Sequence, residues 1–318
     1  MAQSSPPSAA EPQLDVLAFG SVFLEVVFGH ITRLPGPGEE VFSDQFALSC
    51  GGAISVATAA ARTGARAGLA AVFGDDIGTQ VAVAHCERAS VDLTASRWVS
   101  GPASGVTAVV NFEGDRAFIS HLPDGPDLED GSAETWWPGV VERRRPRWIY
   151  LHARPHALDV IAAAHRVGCR VALDTELATA RQDPDLVRAC VALADLFTPN
   201  RRELLELTRQ PDVAGAIADL SMPGAVVIKE GAEGATIAAD GSLVKVTAGI
   251  TDVDVQDRTG AGDAFAGTII GCLAQGTDLR TAVEAGNEAG SAAVARLGAL
   301  GPMSFGPMYL DPTERPHP

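Results

Sequence analysis

Seven residues late in the chain, Asp257-Arg258-Thr259-Gly260-Ala261-Gly262-Asp263, restrict its fold more than any other stretch. Before them, over Ile250 to Val255, Val253 and Val255 alternate with Asp252 and Asp254 in the manner of a strand. After them, Phe265, Ile269, Cys272 and Leu273 fall at i, i+4, i+7 and i+8, the apolar stripe of a helix that Gly276 can end. The pattern predicts strand, glycine turn, helix. Gly260 and Gly262 allow a tight turn and close ligand approach, and a helix start aims unpaired N–H groups and a positive dipole end at one point. That is an anion site suited to phosphate. A carboxylate there, Asp263, would repel a bound polyphosphate unless it served to take or steer a proton from a hydroxyl attacking phosphorus. The alternative is a plain glycine turn with Asp263 as helix cap. The helix dipole predicts an ionised Asp263 that is a weak base.

Composition removes several other functions. With 318 residues, 46% of them hydrophobic, the chain can bury a large core, and no run approaches the apolar length a bilayer needs. The polar, Pro/Ala/Ser-rich start carries no targeting pattern, so a cytoplasmic protein without a membrane partner is expected. A formal net charge of -16 argues against nucleic acid. Arg143, Arg144, Arg145 and Arg147, the one basic cluster, read as a solvated helix end. The five cysteines are scattered and form no C-x-x-C pair, which indicates neither disulfides nor zinc. Lys229 and Lys245 are the only lysines and neither sits in a P-loop. His152 and His156 are separated by Pro155 and lack an evident third ligand, so they read as ordinary histidines near a strand end.

Two further stretches flank sheet-like runs. Pro199-Asn200-Arg201-Arg202-Glu203 follows the apolar Leu196-Phe197 and can be a helix entry with a capping box. Lys229-Glu230-Gly231-Ala232-Glu233-Gly234 follows the buried-strand pattern of Ala225 to Ile228. Near the start, Glu25 lies beyond the first strand, Leu14 to Phe19, as either a hydroxyl-binding acid or a strand-edge charge. Gly51-Gly52 opens an alanine-rich helix that contains Ser55.

Together these stretches resemble the ribokinase-like (PfkB-type) carbohydrate kinases. Asp257 to Asp263 with Ala264-Phe265-Ala266-Gly267 is similar to that family's D-T-T-G-A-G-D-x-F-x-x-G, Asn200 and Glu203 match P-N-x-x-E, and Leu34 to Glu39 resembles P-x-x-G-E. Val72-Phe73-Gly74-Asp75-Asp76 resembles V-G-D-D, and the resemblance spans Leu14 to Leu300. It implies a doubly wound α/β fold, mostly parallel and flanked by helices, with a small β-sheet lid from about 31–50 and 98–122. A single domain over 13–301 would lie between a disordered tail at 1–12 and a Pro-rich tail at 302–318. By resemblance, Asp263 is the catalytic base, with the anion hole at Gly260, Ala261 and Gly262. ATP would meet Asn200, Glu203, Lys229, Gly231, Gly234 and Asn287, and the acceptor Glu25, Gly51, Gly52 and Ser55. Glu203 would organise Mg²⁺, and Asp257 would help hold a monovalent cation such as K⁺. Glu25 and Ser55 stand where the family has Asp and Asn. The implied function is ATP-dependent phosphorylation of a sugar hydroxyl by a homodimer paired through its lids. A nucleoside kinase of the same fold and a non-catalytic sugar-binding regulator are the alternatives.

Overall fold

The computed structural model describes residues 14–112, 115–123, 136–249 and 252–302. The expected tail at 1–12, a turn at Glu113-Gly114 and nearly all of the tail at 302–318 lie outside them.

The chain begins with β1 (Val16–Phe19), β2 (Val22–Ile31), β3 (Gln45–Gly52), α1 (Ala53–Arg62), β4 (Ala67–Ala70) and β5 (Val72–Phe73). Next come α2 (Ile77–Ala89), β6 (Arg97–Trp98), β7 (Gly105–Phe112), β8 (Asp115–His121), α3 (Trp137–Arg144) and β9 (Trp148–His152). Then α4 (Ala157–Val167), β10 (Arg170–Asp174), α5 (Leu177–Gln182), α6 (Pro184–Val191), β11 (Leu196–Phe197) and α7 (Arg201–Thr208) follow. The chain continues through α8 (Val213–Asp219), β12 (Ala225–Lys229), β13 (Ala235–Ala239), β14 (Ser242–Val246), α9 (Ala261–Ala274) and α10 (Leu279–Val294).

Eight strands form the main sheet in the order β14-β13-β12-β11-β10-β9-β1-β4. From β12 to β4 every pairing is parallel, and β13 and β14 close the edge antiparallel. Parallel strands covered on both faces need apolar residues throughout, which Val16–Phe19 and Ala67–Ala70 supply, all buried. One core joins this sheet to α1 and α9 through Ile54, Val56, Phe265 and Ile269, and the other to α4 and α6 through Val160, Ile161 and Val187. The fold is doubly wound. The strand order reverses between β1 and β9, and a crevice at the carboxyl ends of such strands is where open α/β sheets bind ligands.

A second sheet, β3-β2-β7-β8, pairs β2 parallel with β7 and is otherwise antiparallel. It includes Val22–Ile31, which the sequence did not assign to it, and takes only Gln45–Gly52 from the region near 31–50. One other expectation is corrected: Asp252 to Val255 form no strand, because no neighbouring strand pairs with them.

Three successive N–H groups after α10 fasten the small sheet to the glycine motif. Gly298 N–H donates to Asp257 Oδ2 (2.9 Å), Ala299 N–H to Glu25 Oε2 (2.9 Å) and Leu300 N–H to Ser49 Oγ (3.1 Å). Glu25 and Ser49 stand opposite each other in the β2–β3 register. Leu297 packs against Val27, Ala47 and Val109 on the same side.

Candidate active site

The glycine motif delivers Asp263 to the first turn of α9. Gly260 is in the left-handed conformation (φ 73°), and a Cβ there would lie 2.3 Å from Ala299 Cβ, so this position requires glycine. No side chain caps α9, and the capping alternative for Asp263 falls. A Cβ on Gly262 would meet Lys229 Nζ at 3.5 Å, so the lysine ammonium lies beside the helix start. Lys229 ends β12 and donates to Asp174 Oδ2 at 2.7 Å; Thr198 Oγ1 donates to the same oxygen at 3.2 Å. Burial works against the Lys229 charge, but Asp174 and Glu203 outweigh it and hold its pKa above the usual lysine value.

Two cavities meet at this point. One, of about 540 Å³, is lined by Lys229, Gly231, Gly234, Asn287, Asn200 and Glu203, together with Gly260, Ala261 and Gly262. The other, of about 930 Å³, is lined by Glu25, Gly52, Phe23, Trp137, Arg154 and Gln182 among others. Among the described residues, only Asp263, His152 and Glu176 line both. Burial pushes the Asp263 carboxyl up to about 6, against the pull of His152 and Lys229 and with the push of Asp174 and Glu176. The low pKa expected from the helix dipole is therefore corrected. Desolvation by the surrounding protein exceeds the favourable end-of-helix field, and the group is a better base than the sequence indicated.

The helix-entry reading of Asn200 and Glu203 is borne out. Asn200 Oδ1 accepts from Glu203 N–H (2.9 Å) and Glu203 Oε2 from Asn200 N–H (2.8 Å), a capping box at α7 whose two side chains also line the smaller cavity. Burial, then Asp174, raises the Glu203 pKa. No cluster of three or more His, Cys, Asp or Glu among the described residues is arranged to hold a metal alone. The smaller cavity nevertheless has Asp174, Glu176, Glu203 and Asp263 on its wall, and a desolvated Glu203. Such an acidic wall fits a Mg²⁺ that arrives on phosphates and keeps its waters, needing one or two protein carboxylates.

Other residues take different positions. Asp257 is 2% exposed; its Oδ1 accepts from Thr259 N–H (2.9 Å) and Oγ1 (2.6 Å), so with the Gly298 bond it clamps the loop. Asn287 Nδ2 donates to Val246 O (3.1 Å) and Thr247 O (3.3 Å), tying α10 to the end of β14 beside the smaller cavity. Gly51 and Ser55 line neither cavity. Gly51 instead makes room for Glu25, whose Oε1 would be 2.2 Å from a Cβ there. Ser55 is buried in α1 with its Oγ lacking a hydrogen-bond partner among the described residues. Asp76 of the V-G-D-D-like stretch caps α2 by accepting from Thr79 N–H (2.9 Å).

Glu25 faces the larger cavity, and burial, with Asp263 and Asp257 adding repulsion, pushes its carboxyl up to about 7. The folded state thus binds a proton that the unfolded chain has released, so this group's contribution falls as pH rises from about 4.5 to 7. Glu25→Gln should remove that loss, stabilising the protein by roughly 2–3 kcal/mol at pH 8 relative to pH 4.5. Denaturant melts of both proteins at the two pH values check this, and parallel pH dependence would remove Glu25 from the account.

The sequence missed His152 and its partners. Closing β9 beside the strand-order reversal, His152 places Nε2 3.0 Å from Tyr150 Oη and Nδ1 at an ion-pair distance of 3.4 Å from Glu176 Oε1, to which Arg154 donates (3.1 Å). Burial disfavours its charge, yet Glu176 and Asp174 raise its pKa, and His152 in turn draws Glu176 down to about 2. A strand-end position in an α/β sheet was the available signal.

The chain is 32% identical to an ATP-dependent ribose-1-phosphate kinase of Halopiger xanaduensis, over 89% of this chain and 93% of that protein. It is 29% identical to the bifunctional protein HldE of Bradyrhizobium diazoefficiens, over 89% of this chain but 60% of that longer protein. It therefore spans about three fifths of the HldE relative. The ribokinase of Arabidopsis thaliana complexed with ribose and ATP has a TM-score of 0.71 at 21% identity, covering 91% of this chain and 95% of that one. At that identity the likeness is one of fold. The sequence pattern of the pfkB family carbohydrate kinases matches residues 15–304, and with it the glycine turn and the sheet order have one explanation: the chain belongs to that family.

Proposed function

We propose that this protein transfers the γ-phosphoryl group of ATP to a hydroxyl of a sugar. The observation that carries the reading is the position of Asp263, a half-buried carboxylate where the two cavities meet. The smaller cavity takes the nucleotide and the larger the acceptor, so the acceptor hydroxyl meets the γ-phosphorus beside Asp263. Its oxygen forms the new P–O bond as the bond to ADP breaks, and its proton passes to Asp263. The N–H groups of the turn at Gly260, Ala261 and Gly262, with the Lys229 ammonium, stabilise charge on the phosphoryl oxygens. Mg²⁺, held through Glu203 and water near Asn200, would neutralise charge on the phosphates. Glu25 and His152 shape the acceptor side.

Steady-state ADP release across a panel of sugars, phosphorylated sugars and nucleosides tests this. Silence with every acceptor would favour the non-catalytic alternative. Phe23, Trp137 and Phe118 along the larger cavity support a second reading in which the acceptor is a nucleoside, its base against those rings. Thermal-shift screening of sugars against nucleosides separates the two. Phe46 and Ile119, exposed on the small sheet, support pairing of two copies there. A monomeric mass in sedimentation at micromolar concentration would oppose it.

Glu25→Gln should also raise acceptor KM about tenfold, the value of one charge-assisted hydrogen bond, with ATP affinity unchanged. An unchanged acceptor KM would leave Glu25 only its bond to Ala299.

A further inference from the structure

Between β9 and α4 the chain crosses the wall of the larger cavity, and it does so with Arg154, Pro155 and His156. None of the three lines the smaller cavity, so they face the acceptor side alone. Among the described residues, Arg154 is the only arginine or lysine on that wall. It is half-buried, and its hydrogen bond among the described residues runs from Nη2 to Glu176 Oε1 (3.1 Å). A guanidinium carries five N–H donors, and that bond uses one of them. His156, also half-buried, stands before α4 without capping it through its side chain, so its imidazole is not spent on the helix.

We propose that Arg154, with His156, makes the larger cavity specific for an acceptor that carries an anionic group, a phosphate ester or a carboxylate, besides the hydroxyl it presents to Asp263. This rests on the kinase reading above. A neutral sugar covering Arg154 would strip water from the guanidinium and return only neutral hydrogen bonds, whereas an anion returns the charge as well. The planar N–H fork matches the oxygens of either group. The other acids on the same wall already have partners. Glu176 has Arg154 and, at an ion-pair distance of 3.4 Å, His152; Glu25 accepts from Ala299 N–H (2.9 Å); and Asp183 caps α6 by accepting from Leu186 N–H (3.1 Å). Arg154 is thus left as a cation with donors to spare on the acceptor side. Its absence from the smaller cavity also suits such a substrate, because an acceptor anion held there would be repelled by the nucleotide phosphates.

The test uses matched acceptors: ribose with its 1- and 5-phosphates, and glucose with its 6-phosphate and with glucuronate. Wild type, Arg154→Gln, Arg154→Lys and His156→Gln are compared by ADP release and, without ATP, by calorimetric binding of the same compounds. Wild type should favour an anionic member over its parent sugar, and the phosphate and carboxylate arms show which anion is read. Arg154→Gln should reduce that preference about 10- to 100-fold, the value of one charge-assisted contact, with the loss in acceptor KM and in the calorimetric Kd. Arg154→Lys should restore part of it, since charge without the planar fork still serves. His156→Gln, which leaves the bond to Glu176 alone, should lower the preference in the same direction by a smaller factor. A wild type that prefers the parent sugars or a nucleoside overturns the proposal. Equal losses for parent and anionic sugars in Arg154→Gln would mean a structural role through Glu176 and overturn it too, as would a preference unchanged in that variant. If wild type phosphorylates nothing, the kinase reading fails by itself; anion-selective binding that Arg154→Gln abolishes would still uphold this inference, and its absence would sink both.

Discussion

Asp263→Asn is expected to slow turnover by roughly 100- to 10,000-fold, the range for losing a positioned base. ATP binding should hold or tighten, because a negative charge leaves the phosphate site. Burial raises the Asp263 carboxyl to about 6, so in wild type the ionised base is lost as pH falls through that value, and kcat/KM should fall with it. The same shift has the opposite sign for stability. Between pH 3.8 and about 6 the folded state holds a proton that the unfolded state has released, so ionising Asp263 at neutral pH costs roughly 3 kcal/mol. The Asn variant should therefore be more stable than wild type at pH 8 while nearly inactive. Pre-steady-state rates and denaturant melts check both halves. A variant within a few-fold of wild-type turnover would take Asp263 out of the mechanism.

Lys229→Met should have the second largest effect, on stability and on nucleotide binding together. Asp174 has a side-chain exposure of only 4%, and without the ammonium at 2.7 Å it would be a buried carboxylate held by Thr198 and its own neighbouring N–H alone. Breaking one partner out of such a pair costs about 3–5 kcal/mol, on the order of a 5–10 °C drop in Tm. Affinity for ATP should fall more than affinity for adenosine, since Lys229 lies against the turn at Gly262 and not against the base. Calorimetric melting and titration with both ligands decide it. An unchanged Tm would show that Asp174 finds other compensation, and equal losses for ATP and adenosine would remove Lys229 from the phosphate site.

Legibility in the sequence followed the range of the interactions. The turn at Gly260 to Gly262 and the box of Asn200 and Glu203 are made by residues close in the chain, so their spacing carried their geometry. His152 has no such local mark. It reaches the meeting point of the cavities because β9 lies beside β1, an arrangement set by strands distant in sequence. Asp263 was placed correctly but its basicity was misjudged, because the dipole is local and the burial is not. Val253 and Val255 misled for a related reason: period-two alternation marks any extended segment, and a strand also needs a neighbour. Ser55 and Gly51 line neither of the two cavities, whereas Gly52 lines the larger, a difference that position in the chain did not reveal.

The three N–H bonds from Gly298, Ala299 and Leu300 leave the small sheet with an anchored side and an outer side. Strands β2 and β3 carry the bonds through Glu25 and Ser49, and β8 lies at the far margin of the same sheet, over the cavities. Any displacement of this sheet is expected to grow with distance from the anchored margin, as a door moves most at its free edge. Phe118, Ser120 and Leu122 would then travel furthest, and the turn at Gly260 to Gly262 least, since Asp257 shares the anchor. On the proposed kinase reading, an acceptor would enter at the free margin of the sheet while the glycine turn beside the anchored margin stays in place.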